Sequence, residues 1–207
     1  MENMPEFNLH RPETAAEAVK LKASDATSRY LAGGTDMIVN VRRGIEEPET
    51  MIDLTAIVAI TEISAEGGGL RIGAGVKLAD LAAHADLKRD YPAIAEAAAS
   101  VAGPTHRQYG TIGGNLCLDT RCLFYNQSQW WRESNSFCLK HKGDVCHVAP
   151  GGKRCFAAFS GDVAPAMLVY GAEVDLEGPN GGRTIPLADL YSDDGMDHLA
   201  LAADELL

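Results

Sequence analysis

Apolar and polar positions sort the chain into short elements on either side of a long middle stretch that has no period at all. Phe7-Asn8-Leu9-His10 reads as an opening strand, stopped by Pro12. Thr14-Ala15-Ala16-Glu17 is a capping box, and the helix it opens runs to about Lys22. Arg29-Tyr30-Leu31-Ala32 is a second strand that ends in Gly33-Gly34-Thr35-Asp36; Met37 to Arg42 follows as a helix, and Thr50 to Leu54 as a third strand. Residues 5–55 therefore predict a β-α-β-α-β unit. Glu62–Ala65 and Leu70–Ile72 predict a hairpin around Gly67-Gly68-Gly69, and Leu78–Ala85 and Ala93–Val101 predict helices, the second ended by Gly103-Pro104. Thr111-Ile112-Gly113-Gly114-Asn115 is a second glycine turn. Towards the end, Ser160 to Pro165 caps a helix through about Tyr170, and Glu173–Glu177 pairs with Arg183–Ile185 across residues 178–182.

Between Leu118 and Phe159 neither a 3.6-residue nor a 2-residue period can be found. All five cysteines fall at its edge or within it, at 117, 122, 138, 146 and 155, together with Trp130 and Trp131. A structureless loop of about forty residues inside a compact domain needs something other than secondary structure to hold it. A metal cluster on cysteine thiolates would do so. The start of the chain has no basic and apolar leader, and no run is long enough to span a bilayer, so the expected location is the cytoplasm. Thiols stay reduced there, and an odd number of cysteines in one stretch favours metal over disulfides.

Charge adds to this picture. The net charge of −11 argues against nucleic acid as a partner. Residues 117–155 nevertheless carry six basic side chains against three acidic ones, a balance of +3 that leaves −14 for the rest. An anionic iron–sulfur cluster suits a basic shell; a solvated basic loop would have the same composition.

The glycine turns are the other candidate chemistry. Strand, glycine turn, helix exposes backbone N–H groups and a helix N-terminus to a phosphate, although a Gly-Gly turn can also be only a turn. Paired glycines at 113 and 114 let a backbone approach a ligand without a Cβ in the way. Gly73-Ala74-Gly75-Val76-Lys77-Leu78 imitates a dinucleotide fingerprint but lacks the third small residue and the β-α-β context, so it reads as a plain strand end. Asp162 reads as a helix N-cap, or as a carboxylate for a ligand hydroxyl.

Leu31-Ala32-Gly33-Gly34-Thr35-Asp36, Thr111-Ile112-Gly113-Gly114-Asn115 and Ser160-Gly161-Asp162 together resemble the FAD-binding subunits of the molybdenum hydroxylases, the xanthine dehydrogenase and carbon monoxide dehydrogenase group. The resemblance covers nearly the whole chain. It implies an α/β (α+β) fold of two subdomains, the PCMH/VAO-like flavoprotein type, divided here into 1–58 and 59–207. It also implies flavin contacts at Arg29, Tyr30, Leu31, Ala32, Gly33, Gly34, Thr35, Asp36, Val101, Thr111, Ile112, Gly113, Gly114, Asn115 and Asp162. Relatives continue beyond Leu207 into a C-terminal domain that helps cover the flavin, so that family domain is expected to be absent from these residues.

The cysteine insert, at about 118–158, resembles that of the 4-hydroxybenzoyl-CoA reductase β subunits, an anaerobic branch with a 4Fe–4S cluster. The resemblance implies Cys122, Cys138, Cys146 and Cys155 as ligands, with Cys117 at a strand end as a packed thiol. Their spacing, with fifteen, seven and eight residues between, is too open for a zinc knuckle or a ferredoxin run and does not by itself identify the metal. The implied function is electron transfer from a ferredoxin-like donor through 4Fe–4S and FAD. Partner subunits, one with 2Fe–2S clusters and one with molybdopterin, would complete a dimer of heterotrimers that dehydroxylates 4-hydroxybenzoyl-CoA. No membrane role is implied. The alternatives are an oxidative molybdenum hydroxylase and a non-redox scaffold with four cysteines on zinc. No residue is assigned to substrate chemistry, and His106, His141 and His147 are not needed as bases.

Overall fold

The structure, a computed structural model, describes residues 4–207. Its first elements are β1 (Asn8–His10), α1 (Ala15–Ser24), β2 (Arg29–Leu31), α2 (Met37–Arg42) and β3 (Thr50–Asp53). The strands form one parallel sheet in the order β1-β3-β2, with Asn8 opposite Thr50 and Arg29 opposite Met51. Central β3 buries Met51 and Ile52 completely. The capping box closes with a shift of one residue. Thr14 Oγ1 accepts from the Glu17 N–H at 3.2 Å, while the Glu17 carboxylate accepts from the Glu13 N–H at 3.0 Å rather than from the cap residue's own amide. Helix α2 ends in a Schellman motif: Gly44, at φ +61°, donates to Val41 O at 3.0 Å and Ile45 to Asn40 O at 2.9 Å. The expected β-α-β-α-β unit is present with nearly the expected bounds.

The hairpin of β4 (Ile63–Glu66) and β5 (Gly69–Ile72) turns on Gly67 and Gly68, both at positive φ, the two-residue geometry that matches strand twist. Gly73 and Gly75 serve packing. A Cβ on Gly73 would lie 2.2 Å from the Ile60 carbonyl oxygen, which also accepts from the Gly75 N–H at 2.7 Å. The strand-end reading of this stretch holds. Where one helix over 78–85 is expected there are two, α3 (Leu78–Ala83) and α4 (Ala85–Asp90), because His84 at ψ 128° breaks the run. In α4 only Leu87 is a large apolar residue, fully buried, which is too little for a visible period. Helix α5 (Pro92–Ser100) sets Ala95 and Ala98 into the core beside Leu81.

After α6 (Pro104–Arg107), the expected second turn is instead the start of a short helix, α7 (Ile112–Leu116). Thr111 is its N-cap, accepting from the Gly114 N–H at 3.1 Å. Cys117 is therefore a helix C-cap rather than a strand end. The middle stretch also contains a helix, α8 (Gln129–Ser134), capped by Ser128. Helix α9 (Ala164–Val169) and the antiparallel pair β6 (Glu173–Gly178) and β7 (Gly181–Pro186) follow, and the last residues return to β6 through Leu206 N–H to Glu177 O at 2.8 Å. One apolar core gathers Leu78, Leu81, Leu87, Ile94, Leu176 and Leu187, each burial stabilising by about 1.5–3 kcal/mol. A smaller one gathers Val19, Ile52, Leu54 and Ile57 with Leu206. Among the described residues no helix is long and apolar enough to cross a membrane.

Candidate functional site

The fold presses the first glycine turn onto the segment that leads into α7. A Cβ on Gly33 would lie 1.9 Å from the Tyr109 carbonyl oxygen, and one on Gly110 would lie 3.5 Å from Thr35 Oγ1. Gly34 takes φ +71° to make the turn. From α7, buried Asn115 accepts the Val163 N–H on Oδ1 at 3.0 Å, which fixes the Gly161–Val163 segment beside it. Residues 33–35, 110–115 and 161–163, far apart in sequence, thus become neighbours.

The individual side chains divide by what they touch. Gly113 is required by packing, since a Cβ there would lie 2.8 Å from the Ala74 Cβ. Gly114 is exposed, and a Cβ there would meet only Thr111 Oγ1, at 3.2 Å. Of the paired glycines, it is Gly114 that leaves room for a ligand. Arg29 is tied to Glu46 at 2.7 Å and to the Ser28 carbonyl at 3.0 Å. Asp36 pairs with Arg121 and accepts from Asn40 Nδ2 at 3.1 Å. Tyr30 packs against the smaller core, and burial pushes its hydroxyl up. The Arg29 and Asp36 side chains are thus engaged by partners within the chain. Asp162 is exposed and caps nothing, contrary to its reading as an N-cap; Val163 holds that position without a side-chain bond. The Val101 carbonyl accepts from Arg107 at 2.8 Å, which also holds Ala102, at φ +43°. Ile112 is buried in the main core.

A groove of about 560 Å³ opens between α2 and the start of the cysteine insert. Thr35, Asp36 and Arg43 line one side, and Arg121, Cys122 and Asn126 line the other. The first glycine turn and the first candidate cluster ligand therefore share a surface.

The insert is closed at its neck by two backbone bonds, Arg121 N–H to Ala158 O at 2.7 Å and Ala158 N–H to Arg121 O at 2.9 Å. Inside, Cys122, Cys138, Cys146 and Cys155 all line one enclosed void, walled otherwise by Phe124, Tyr125, Leu139, Lys140 and Val148 among others. All five cysteines are free thiols. Burial pushes the Cys146 thiol up, but the N–H groups of Ala149, Phe156 and Val148 outweigh this and leave it below its ordinary value. Cys155 is raised, by burial first and by Cys146 and Cys138 nearby, against the Ala157 N–H and Lys140. Such N–H and cationic neighbours are what thiolate sulfurs on a cluster need. Cys117 differs: its thiol is enclosed and pushed up to about 12 by burial alone.

The donor set therefore fits a cluster, although the void, about 10 Å³, is smaller than one and the thiols would have to spread. Among the described residues no three His, Cys, Asp or Glu side chains are grouped as a single metal ion requires.

Three features of the insert were not among the expected site residues. Arg132, 2% exposed, reaches out of α8 to the carbonyls of Arg43 at 3.0 Å and Gly44 at 2.7 Å, bolting the insert to the end of α2. Lys140 is buried against Asp119. Ser136, Phe137 and Lys142 all take positive φ around Cys138, at a cost of about 1–3 kcal/mol each. The one local signal that could have pointed to α8 is Ser128, whose Oγ accepts the Trp131 N–H at 3.4 Å.

A family model described as the FAD binding domain in molybdopterin dehydrogenase matches residues 5–207. The aldehyde oxidoreductase FAD-binding subunit PaoB of Escherichia coli K12 is 34% identical over 93% of this chain and 62% of its own. The xanthine dehydrogenase FAD-binding subunit of Escherichia coli O157:H7 is 27% identical over 97% of this chain and 55% of its own. Carbon monoxide dehydrogenase from Hydrogenophaga pseudoflava superimposes with a TM-score of 0.73 at 27% identity, covering 99% of this chain and 58% of that one. The chain thus spans less than two thirds of the length of these relatives. With the mixed α/β architecture and the juxtaposed glycine segments in agreement, it belongs to the FAD-binding domains of the molybdopterin dehydrogenases, the molybdenum hydroxylase family.

Proposed function

We propose that this chain is the flavin- and iron–sulfur-carrying electron-transfer part of a molybdenum oxidoreductase. The backbone of Gly33 to Asp36 and the start of α7 at Gly114 would hold FAD, and Cys122, Cys138, Cys146 and Cys155 would hold a 4Fe–4S cluster. The observation that carries this reading is the convergence of those four cysteines, and not Cys117, on one enclosed void. FAD bound there supplies a carrier of one or two electrons between one-electron centres. This chain's contribution is to hold, orient and shield. Partner subunits bearing 2Fe–2S clusters and molybdopterin would do the substrate chemistry, and a ferredoxin-like protein would be the donor.

The cysteine insert supports reductive dehydroxylation of 4-hydroxybenzoyl-CoA as the overall reaction. The 34% identity to an aldehyde oxidoreductase subunit favours a second reading, in which electrons leave the molybdenum site and pass outward through the same cofactors. The complex, purified anaerobically with its partners, separates the two. Oxidation of a reduced viologen on adding 4-hydroxybenzoyl-CoA supports the first. Bleaching of the flavin by an aldehyde, with no response to the thioester, supports the second and overturns the first.

A further inference from the structure

Lys140 is a charge placed where a cluster would feel it. Its side chain is 7% exposed, and its Nζ lies 2.5 Å from Asp119 Oδ1, 2.5 Å from Thr120 Oγ1 and 4.5 Å from the centre of the Tyr125 ring. Thr120 is itself buried and donates to the Gly195 carbonyl, so its oxygen is fixed as an acceptor for the lysine. An ammonium held on three sides cannot swing to solvent. Lys140 also lines the void with the four cysteines, whereas Asp119 does not. The Lys140 charge is felt at the Cys155 thiol, which it favours as thiolate, and Asp119 is not on that wall. Among the described residues on that wall Lys140 is the one lysine or arginine; His147 is the other ionisable group besides the thiols and Tyr125, and its Nε2 bonds the Phe137 carbonyl.

We infer that Lys140 sets the reduction potential of the cysteine-held cluster, with Asp119 acting in the opposite sense from behind it. The inference rests on reading the insert as an iron–sulfur site. Reduction adds one electron to the cluster and no proton, so the site gains one full negative charge. A cation on the wall stabilises that state over the oxidised one, and does so strongly where water is excluded. An anion behind the cation weakens the effect. A buried pair that merely braced the insert would carry no such sign.

Potentiometric titration of the anaerobic holo-protein, with dithionite as the electron donor (oxidised to sulfite) and the paramagnetic signal of the reduced cluster as readout, tests this. Relative to wild type, Lys140→Met should shift the midpoint down, Asp119→Asn should shift it up, and Lys140→Arg should restore it to near the wild-type value. Asp119→Asn keeps a hydrogen-bond acceptor and so remains decisive if Lys140→Met fails to assemble. Shifts of the same sign in both neutral variants, or an unshifted midpoint in Asp119→Asn, would overturn the inference while the signal itself upheld the cluster. A wild-type protein without iron and sulfide would remove the site reading and the inference with it.

Discussion

Residues 8–53 and residues 121–158 lie side by side, joined where Arg132 meets the end of α2, yet they are ordered by different means. In the first, backbone groups find each other in three parallel strands, and two of the helix ends use local devices, Thr14 at the start of α1 and Gly44 at the end of α2. In the second there is one short helix, a two-bond neck and a series of short-range backbone turns, such as Asn126 N–H to Cys122 O at 2.9 Å and Leu139 N–H to Val145 O at 2.9 Å, with Arg132 reaching distant backbone. Strained residues cluster around Cys138, and buried cations stand where an apolar core would otherwise be. A region built in this way needs a further source of order at its centre. The four thiols are the groups able to bind one.

The comparison can be broken most severely at those thiols. Serine at Cys122, Cys138, Cys146 or Cys155 should abolish or badly distort the 4Fe–4S signal in electron paramagnetic resonance and open residues 121–158 to protease. Cys117→Ser should keep the signal, at a cost of about 1–3 kcal/mol if the new hydroxyl finds no partner. Loss of the cluster from Cys117→Ser alone would contradict the assignment.

Gly114→Val comes next. Its new side chain meets little protein, so the fold should persist while flavin is lost, read from absorbance after gel filtration. Gly113→Val, by contrast, runs into Ala74 and should damage the fold itself. Full FAD occupancy in a folded Gly114→Val protein would sink the proposed contact.

Arg132→Met should cost about 1–3 kcal/mol, because it takes the guanidinium donor from the half-buried carbonyls at Arg43 and Gly44. Proteolysis should strike the insert before the parallel sheet; equal sensitivity of both would deny that the two regions are separately held. The smallest effect belongs to Thr14→Ala, which removes one cap from α1 at a cost of about 1 kcal/mol. Protease sensitivity of the insert should not change.

These differences also explain what could be seen in the sequence. The capping box, the Gly33-Gly34 turn and the β6–β7 hairpin are local signals, and each appears within a residue or two of its expected place. Helix α4 has one large buried apolar residue and α8 buries a charged one, Arg132, so neither leaves an apolar period. The pairing of Lys140 with Asp119, and the reach of Arg132 to Gly44, depend on how the chain folds back and have no signature in spacing. At the candidate flavin site the motif residues were legible, but not their division of labour. Sequence alone treats Gly113 and Gly114 alike; the nearness of Ala74 to one of them separates packing from ligand access.

The most direct test of the central claim, that thiolates on a cluster order the insert, is iron, acid-labile sulfide and zinc analysis of the anaerobically purified protein, alongside the same analysis of Cys146→Ser. The account predicts four iron and four sulfide for this chain, no stoichiometric zinc, and loss of both iron and sulfide from the variant. Stoichiometric zinc without sulfide, or an insert that resists protease equally well in a wild-type protein free of metal, would contradict it.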